Sequence, residues 1–233
     1  MIRPNSGIHV ISMKPVFNKN SVLPIGELDV NHTSMLYADL ILNHKVNLDK
    51  ISNSTSVIYY FHENDKNQLP EEFIKSSSTN ILGNKENSYQ NIKNIVDKYF
   101  SSANINLIVF ANSIGYSSSE LKKITDLLTI ESDAVIIGKS INNGVSFIGF
   151  NYVNYDLFSD LHWDDMKFED VLHKVNKYDN FVYIWESSLV VNSGKDFRLL
   201  YFELSKKESL EYCDQQMHEK FTHIFIEYKE LLK

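Results

Sequence analysis

The stretch INLIVFANSIGYSSSELKKITDLL, residues 105–128, decides the fold class. Residues 105–111 are rich in branched and aromatic side chains and carry the strongest strand signal in the chain. The turn-forming residues 112–117 follow, and then Leu121, Ile124, Leu127 and Leu128 fall on one helical face. Ser118 or Ser119 is placed to cap that helix. Strand, turn and amphipathic helix in immediate succession form the unit from which α/β domains are built.

The same alternation extends in both directions. Upstream, residues 8–13 and 57–61 read as strands, with a helix over 33–48 between them that carries Met35, Leu36, Leu40 and Val46. The polar segment 62–78, with Pro70 inside it, reads as loop and 80–82 as a short strand. Tyr89, Ile92, Val96 and Tyr99 then share one helical face. Downstream, 134–138 and 145–150 are strands joined through the Asn143-Gly144 turn signal. A helix over 166–178 and a strand over 181–185 follow. From 205 to the end the spacing of Leu210, Cys213, Met217, Phe221, Ile224, Tyr228 and Leu231 predicts one long helix, or two broken near His218. There is no internal repeat or linker, so the expected organisation is one domain over 1–204 with residues 205–233 as its C-terminal helical extension.

Composition limits the function. The chain has 233 residues, 43% hydrophobic and 23% charged, enough for a self-sufficient core. The net charge of −7 argues against nucleic-acid binding, which needs a basic face. Cys213 is the sole cysteine, so neither an intramolecular disulfide nor a Cys-rich zinc site is expected. No apolar run reaches membrane-spanning length, and residues 1–5 lack the apolar core of a signal peptide, so the expected compartment is the cytoplasm. The Asn-x-Thr sequons at Asn31 and Asn53 are then idle. The richness in Asn, Lys and Ile fits an AT-rich bacterial genome.

Several segments hold incomplete motifs. Gly138-Lys139-Ser140 ends like a phosphate-binding P-loop, but Asp133 stands where the first glycine belongs and a strand follows instead of a helix. Ala111-Asn112-Ser113-Ile114-Gly115 resembles a nucleophile elbow, which makes a Ser113-dependent hydrolase an alternative, with Asp133, Asp164 or Asp165 and then His173, His218 or His223 as triad partners. A polar turn after a strand is the favoured reading there. His62-Glu63 lacks the second His of a zinc-protease helix. His162-Trp163-Asp164-Asp165 holds donors for a divalent cation but reads better as the acidic start of a helix.

Taken in order over residues 8–200, these segments resemble a bacterial GT-A-fold, glycosyltransferase-like family related to the molybdenum-cofactor and cobinamide nucleotidyltransferases. The family opens with a loop of the form Lys-x-Pro-x-Pro-Gly-x-Val-Lys-Thr-Arg-Leu. This chain has Lys14-Pro15-Val16-Phe17-Asn18-Lys19-Asn20-Ser21-Val22-Leu23-Pro24, keeping the lysine but not the glycine or the Lys-Thr-Arg triplet. The helix segment Met35-Leu36-Tyr37-Ala38-Asp39-Leu40 resembles the family's Ala-x-Leu-Tyr-x-x-Leu region. The family's central strand ends in Gly-Ser-Asp-x-Pro; here Ser113 stands at the Asp. Asp-Gly-Gly-Tyr-x-Leu-Ile-Gly becomes Asn142-Asn143-Gly144-Val145-Ser146-Phe147-Ile148-Gly149, and Leu157-Phe158 and Trp163 match a Leu-Phe…Trp stretch. Asp-Val-Asp-Thr-x-x-Asp becomes Val190-Val191-Asn192-Ser193-Gly194-Lys195-Asp196, with only the last acid kept.

The resemblance implies a three-layer α/β/α domain with a mostly parallel mixed sheet, of nucleotide-diphospho-sugar transferase type. It implies a ligand cleft walled by Lys14, Asn18, Lys19, Asn112, Ser113, Asn142, Asn143, Gly144, Trp163 and Asn192. The family's chemistry uses a divalent cation to neutralise the diphosphate leaving group. Hard cations need anionic oxygens, and Ser113, Asn142 and Asn192 lack the charge. No metal ligand set is therefore expected, and Mn²⁺ or Mg²⁺ enters only if the eroded site still binds one. The expected function is a nucleotide-sugar transferase-like protein with weak or no catalysis, partnered by a nucleotide or nucleotide-sugar. A non-catalytic interaction protein, docking a protein partner or a second copy through the C-terminal helix, is the other alternative.

Overall fold

The computed structural model describes residues 6–51, 55–75, 78–83, 88–99, 105–152, 155–159 and 161–233. Residues 1–5, Asn53 of the second sequon and the side chains of Tyr89, Tyr99 and Phe158 lie outside the described part.

Eight strands form one mixed sheet in the order β3-β2-β1-β4-β7-β6-β8-β5. Strands β1 (Ser6–Ile11), β2 (Thr55–Phe61), β3 (Thr79–Ile81) and β4 (Ile105–Phe110) run parallel. Antiparallel to β4 runs β7 (Val145–Phe150), which forms a hairpin with β6 (Ala134–Ser140). Strand β8 (Phe181–Val190) pairs in parallel with β6, and the two-residue β5 (Ser113–Ile114) pairs with its end. The carboxyl ends of β1, β4, β6 and β8 therefore lie along one edge of the sheet.

Both faces of the sheet are covered, and the period-two geometry of the strands sorts their side chains between two cores. Ile8, Val10, Leu107, Val109 and Ile136 enter one core, and Ile11, Ile108, Phe110, Val135 and Ile137 enter the other. The first core is closed by α1 (Val30–Leu48), α4 (Ser118–Leu127), α7 (Gly194–Leu204) and α8 (Gln215–Glu227). The second is closed by α3 (Ser88–Tyr99) and α6 (Phe168–Val175). Two single-turn helices, α2 (Glu71–Ile74) and α5 (Tyr155–Phe158), lie in connections. The expected three-layer, mostly parallel architecture is the one observed.

Three local expectations change. The cap of α4 is Ser117, one residue early: it accepts from Glu120 N at 3.3 Å while the Glu120 carboxylate accepts from Ser117 N at 2.8 Å, a reciprocal capping box. Strand β8 continues five residues past Trp185, because β6 and β5 pair with its end and the buried Ser188 hydroxyl donates to Ser146 Oγ. The C-terminal segment is not one long helix. Chain after α7 passes through a 3₁₀ turn (Lys207–Glu211), and Asp214 restarts the helix by accepting from Met217 N at 3.0 Å.

The role expected for that C-terminal helix changes too. Met217, Phe221, Ile224 and Phe225 of α8 are buried in the first core, with α8 packed on α1, while Leu210 is left exposed. The apolar stripe that suggested a docking element is the inner face of the helix. Among the described residues no helix is long and apolar enough to cross a membrane.

Candidate functional site

The connection from β1 to α1 crosses the carboxyl edge of the sheet, and two contacts fix its course. Gly26 adopts φ +58°, and a Cβ there would lie 2.7 Å from the Cα of Gly194, so the loop rests directly on the start of α7. Further upstream, the backbone N–H groups of Val16, Phe17 and Asn18 converge on the buried Asp65 carboxylate at 2.8–3.1 Å. Successive N–H groups curled in this way form an anion-binding nest, and Asp65 fills it. The Asn18 amide is held by Asn64 O at 3.0 Å, and Ser12 Oγ donates to Lys14 O at 2.9 Å. Lys14 thus projects from a loop braced on both sides.

Three side chains from distant segments meet beside it. The Asn192 Oδ1 accepts from Lys14 Nζ at 3.1 Å and from Asn112 Nδ2 at 2.9 Å. An ammonium only donates, so this contact sets the Asn192 amide with its oxygen toward the lysine. Strand-like pairing of Val191 N with Asn112 O, at 2.8 Å, holds the two asparagines together. Among the described residues Lys14 has no ion-pair partner. The Asn192 amide nitrogen points at Asp165 Oδ1, 3.5 Å away, and Asp165 is itself paired with Lys167 at 3.1 Å.

Behind this group Asp196 is buried. It accepts from Asn142 Nδ2 at 2.7 Å, Asn192 N at 3.0 Å and Ser193 Oγ at 2.8 Å while Ser193 caps α7. Asn142 also donates to Val190 O at 2.7 Å and accepts from Ser140 Oγ. The structure therefore brings Lys14, Asn112, Asn142 and Asn192 into one hydrogen-bonded group.

Next to it a cleft opens between the carboxyl ends of β1 and β4, lined by Met13, Lys14, Tyr37, Asn112, Trp163 and Asp164 among others. Open α/β sheets place ligands at this edge. It spans about 390 Å³ counting space open to solvent, most of it shallow. Its floor is apolar, with Trp163 packed on Phe110 at 6.1 Å between ring centres. Burial, together with the nearby Asp196, pushes the Tyr37 hydroxyl up to about 12, so it stays a neutral donor at physiological pH.

The other expected wall residues stand elsewhere. Asn18 is turned to Asn64, and Lys19 is exposed and outside the lining of the cleft. Asn143 takes φ +63° in the β6–β7 turn, where its carbonyl accepts from Phe168 N at 3.0 Å, and Gly144 bridges to Lys167. Ser113 is fully buried: its hydroxyl lies 2.6 Å from both Phe110 O and Tyr116 Oη. It walls no cleft and has no access for a hydrolase substrate, because the chain turns after β4 so that Asn112 faces outward and Ser113 inward. None of the named triad histidines is among its hydrogen-bond partners. The segment His162-Trp163-Asp164-Asp165 is a turn that ends before α6, not a helix start. Sequence reasoning missed Asp65, which nothing in its polar loop marks, and the lining roles of Tyr37 and Met13.

These residues do not fit a divalent cation. Asn112 and Asn192 are neutral, Asp196 is buried and already accepts from three donors, and the Lys14 ammonium is bonded to the oxygen a metal would need. Among the described residues no three His, Cys, Asp or Glu side chains are grouped to hold a metal.

Comparison with known proteins places this geometry. No protein-family model matches the chain, and no curated protein matches it in sequence. Among solved structures, a candidate nucleotide-diphospho-sugar transferase from Desulfovibrio desulfuricans superposes with a TM-score of 0.74 at 17% identity, over 98% of this chain and 96% of that one. The chain has the nucleotide-diphospho-sugar transferase fold. More distant structures share it. The 4-diphosphocytidyl-2C-methyl-D-erythritol synthase of Anaerococcus prevotii has a TM-score of 0.54 at 8% identity, over 96% of this chain and 97% of that one. A Mycobacterium tuberculosis protein in complex with manganese has a TM-score of 0.52 at 11% identity, over 83% and 96%. In this chain the group of Lys14, Asn112 and Asn192 stands at the carboxyl edge of the sheet.

Proposed function

We propose that this protein binds a nucleotide or nucleotide-sugar in the cleft at the carboxyl ends of β1 and β4, and turns it over weakly or not at all. The observation that carries the reading is an apolar, aromatic-floored cleft whose polar lining includes Lys14, Asn112 and Asp164, with Lys14 and Asn112 both bonded to Asn192 beside it. The floor suits the face of a base or sugar, and the amides and lysine suit polar and anionic groups. Met13 is a half-buried lining residue, and a ligand larger than a few waters requires the cleft to open. Weak turnover follows from the chemistry of the rim. Departure of a nucleotide diphosphate builds negative charge, and two amides and one ammonium neutralise it less well than a carboxylate-bound divalent ion. The compartment in which this happens is taken to be the cytoplasm.

The test is a melting-temperature screen against UDP-, GDP-, CDP- and dTDP-sugars. A ligand that binds only the native state raises Tm, and one series is expected to do so. No rise with any of them sinks the reading. Release of free nucleotide from the bound sugar is expected to be far slower than about 1 s⁻¹, the lower end of ordinary enzyme turnover. Turnover at or above that rate refutes the claim of weak catalysis.

A further inference from the structure

We infer that the Lys14 ammonium takes the place of the divalent cation, so that a diphosphate group is bound at this edge without metal. The inference rests on the nucleotide reading for the identity of the ligand, but not for its charge.

Three observations converge on Lys14. Its Nζ sits on Asn192 Oδ1, the oxygen shared with Asn112, at the junction of two strand ends. Its partner there is neutral, and it has no ion pair among the described residues, so its positive charge is not cancelled by a bonded carboxylate. The loop that carries it is braced by Ser12 Oγ on one side and by the Asp65 nest on the other, which limits the entropy lost when it engages an anion.

The alternative sources of positive potential are removed by the same geometry. The nest of Val16, Phe17 and Asn18 N–H groups is closed by Asp65 and offers no donors to a phosphate. Lys19 lies outside the cleft lining. Asp196, the acid kept from the family pattern, is buried and already accepts from three donors. Asp164 also lines the cleft, so a diphosphate entering it meets one lysine and one aspartate. Without Lys14 the cleft would repel an anion.

The test uses the full chain and four variants of the edge: Lys14→Met, Lys14→Arg, the double change Asn112→Asp with Asn192→Asp, and the triple change that adds Lys14→Met to it. Affinity for inorganic pyrophosphate and for the four nucleotide-sugars is measured by calorimetry, in EDTA and in Mn²⁺. Lys14 is exposed, so the Met and Arg variants are expected to melt with the parent. In EDTA the parent binds, Lys14→Met loses roughly tenfold or more, as for a charge-assisted hydrogen bond, and Lys14→Arg keeps most of the affinity. The triple variant is expected to bind only with Mn²⁺, and the double variant less well in Mn²⁺ than the triple, because its lysine repels the ion. Binding by the parent that requires Mn²⁺, or undiminished binding by Lys14→Met in EDTA, overturns the role of Lys14 while leaving a nucleotide cleft. Pyrophosphate binding that depends on Lys14, with no nucleotide-sugar binding, supports the lysine and overturns the nucleotide reading. Failure of every ligand overturns both.

Discussion

The polar groups at the carboxyl edge of the sheet fall into two sets, which adjoin in the chain at Asn112 and Ser113. The inner set, Ser113, Ser140, Ser146 and Ser188, is buried, and its hydroxyls return to neighbouring polar groups: Ser113 to Phe110 O, Ser146 to Gly138 O, Ser188 to Ser146 Oγ at 2.7 Å. The outer set, Lys14, Asn112 and Asn192, bonds within itself at the border of the cleft. The difference is one of spare capacity. A buried hydroxyl must satisfy itself inside the fold and has nothing left for a ligand, whereas a lysine on an amide keeps two donors and its charge.

The sharpest way to break this contrast is to place the same acid in each set. Ser113→Asp forces a carboxylate between Phe110 O and the Tyr116 hydroxyl, with no cation at hand. It should lower stability by on the order of 3–5 kcal/mol, as uncompensated buried charges do. Asn112→Asp, beside Lys14 at the half-buried edge, should change stability by less than about 1 kcal/mol. Denaturant melts of the two variants check this, and equal losses would erase the distinction between inner and outer sets.

A smaller effect sorts the buried titratable groups by pH. His44, stacked on Tyr116 beneath Ser113, and His9, bonded to Asn106 at 2.9 Å, are both lowered by burial to about 4. The unfolded chain takes up those protons first, so their contribution is full above about 6.5 and is lost as pH falls toward 4. Asp39, between α1 and α8, is raised by burial to about 6 despite Lys220 at 3.7 Å. It acts in the opposite sense, its folded form keeping a proton that the unfolded form releases, so stability is recovered as pH falls through 6 toward 3.8. Melting temperatures between pH 7 and 4 should fall overall. His44→Gln should flatten that decline, and Asp39→Asn should steepen it by removing the offset; the reverse order would overturn the assignment.

The smallest effect concerns the outer set alone. Asp164 is exposed at the rim, so Asp164→Asn should tighten pyrophosphate binding in EDTA by only about two- to threefold, as screened surface charges do. Calorimetry at low and physiological salt measures it, and weaker binding would show that Asp164 holds the ligand instead of repelling it.

Much of the fold was legible because strands and helices declare themselves locally. The runs at 105–111, 134–138 and 145–150 contain too many branched and aromatic residues to be anything but buried strands. Their order, with a helix between most of them, leaves few alternatives to a three-layer sheet. What misled was the end of each element. Asn112 and Ser113 are equally polar and equally placed after the strand, and the motif pointed to the serine. The apolar stripe from Cys213 to Ile224 announced a helix but not the surface it packs against.

The sequence by itself determined most of the succession of elements and the fold class, since each depends on residues within one turn or one strand. Only the tertiary structure decided which side chains reach the cleft. Lys14 meets Asn192 across 178 positions of chain, and Asp65 reaches Val16 across 49, because parallel strands bring every carboxyl end to the same edge. Side-chain direction where a strand gives way to a turn is set by the backbone torsions of two or three residues, and those are fixed by packing that no local pattern records.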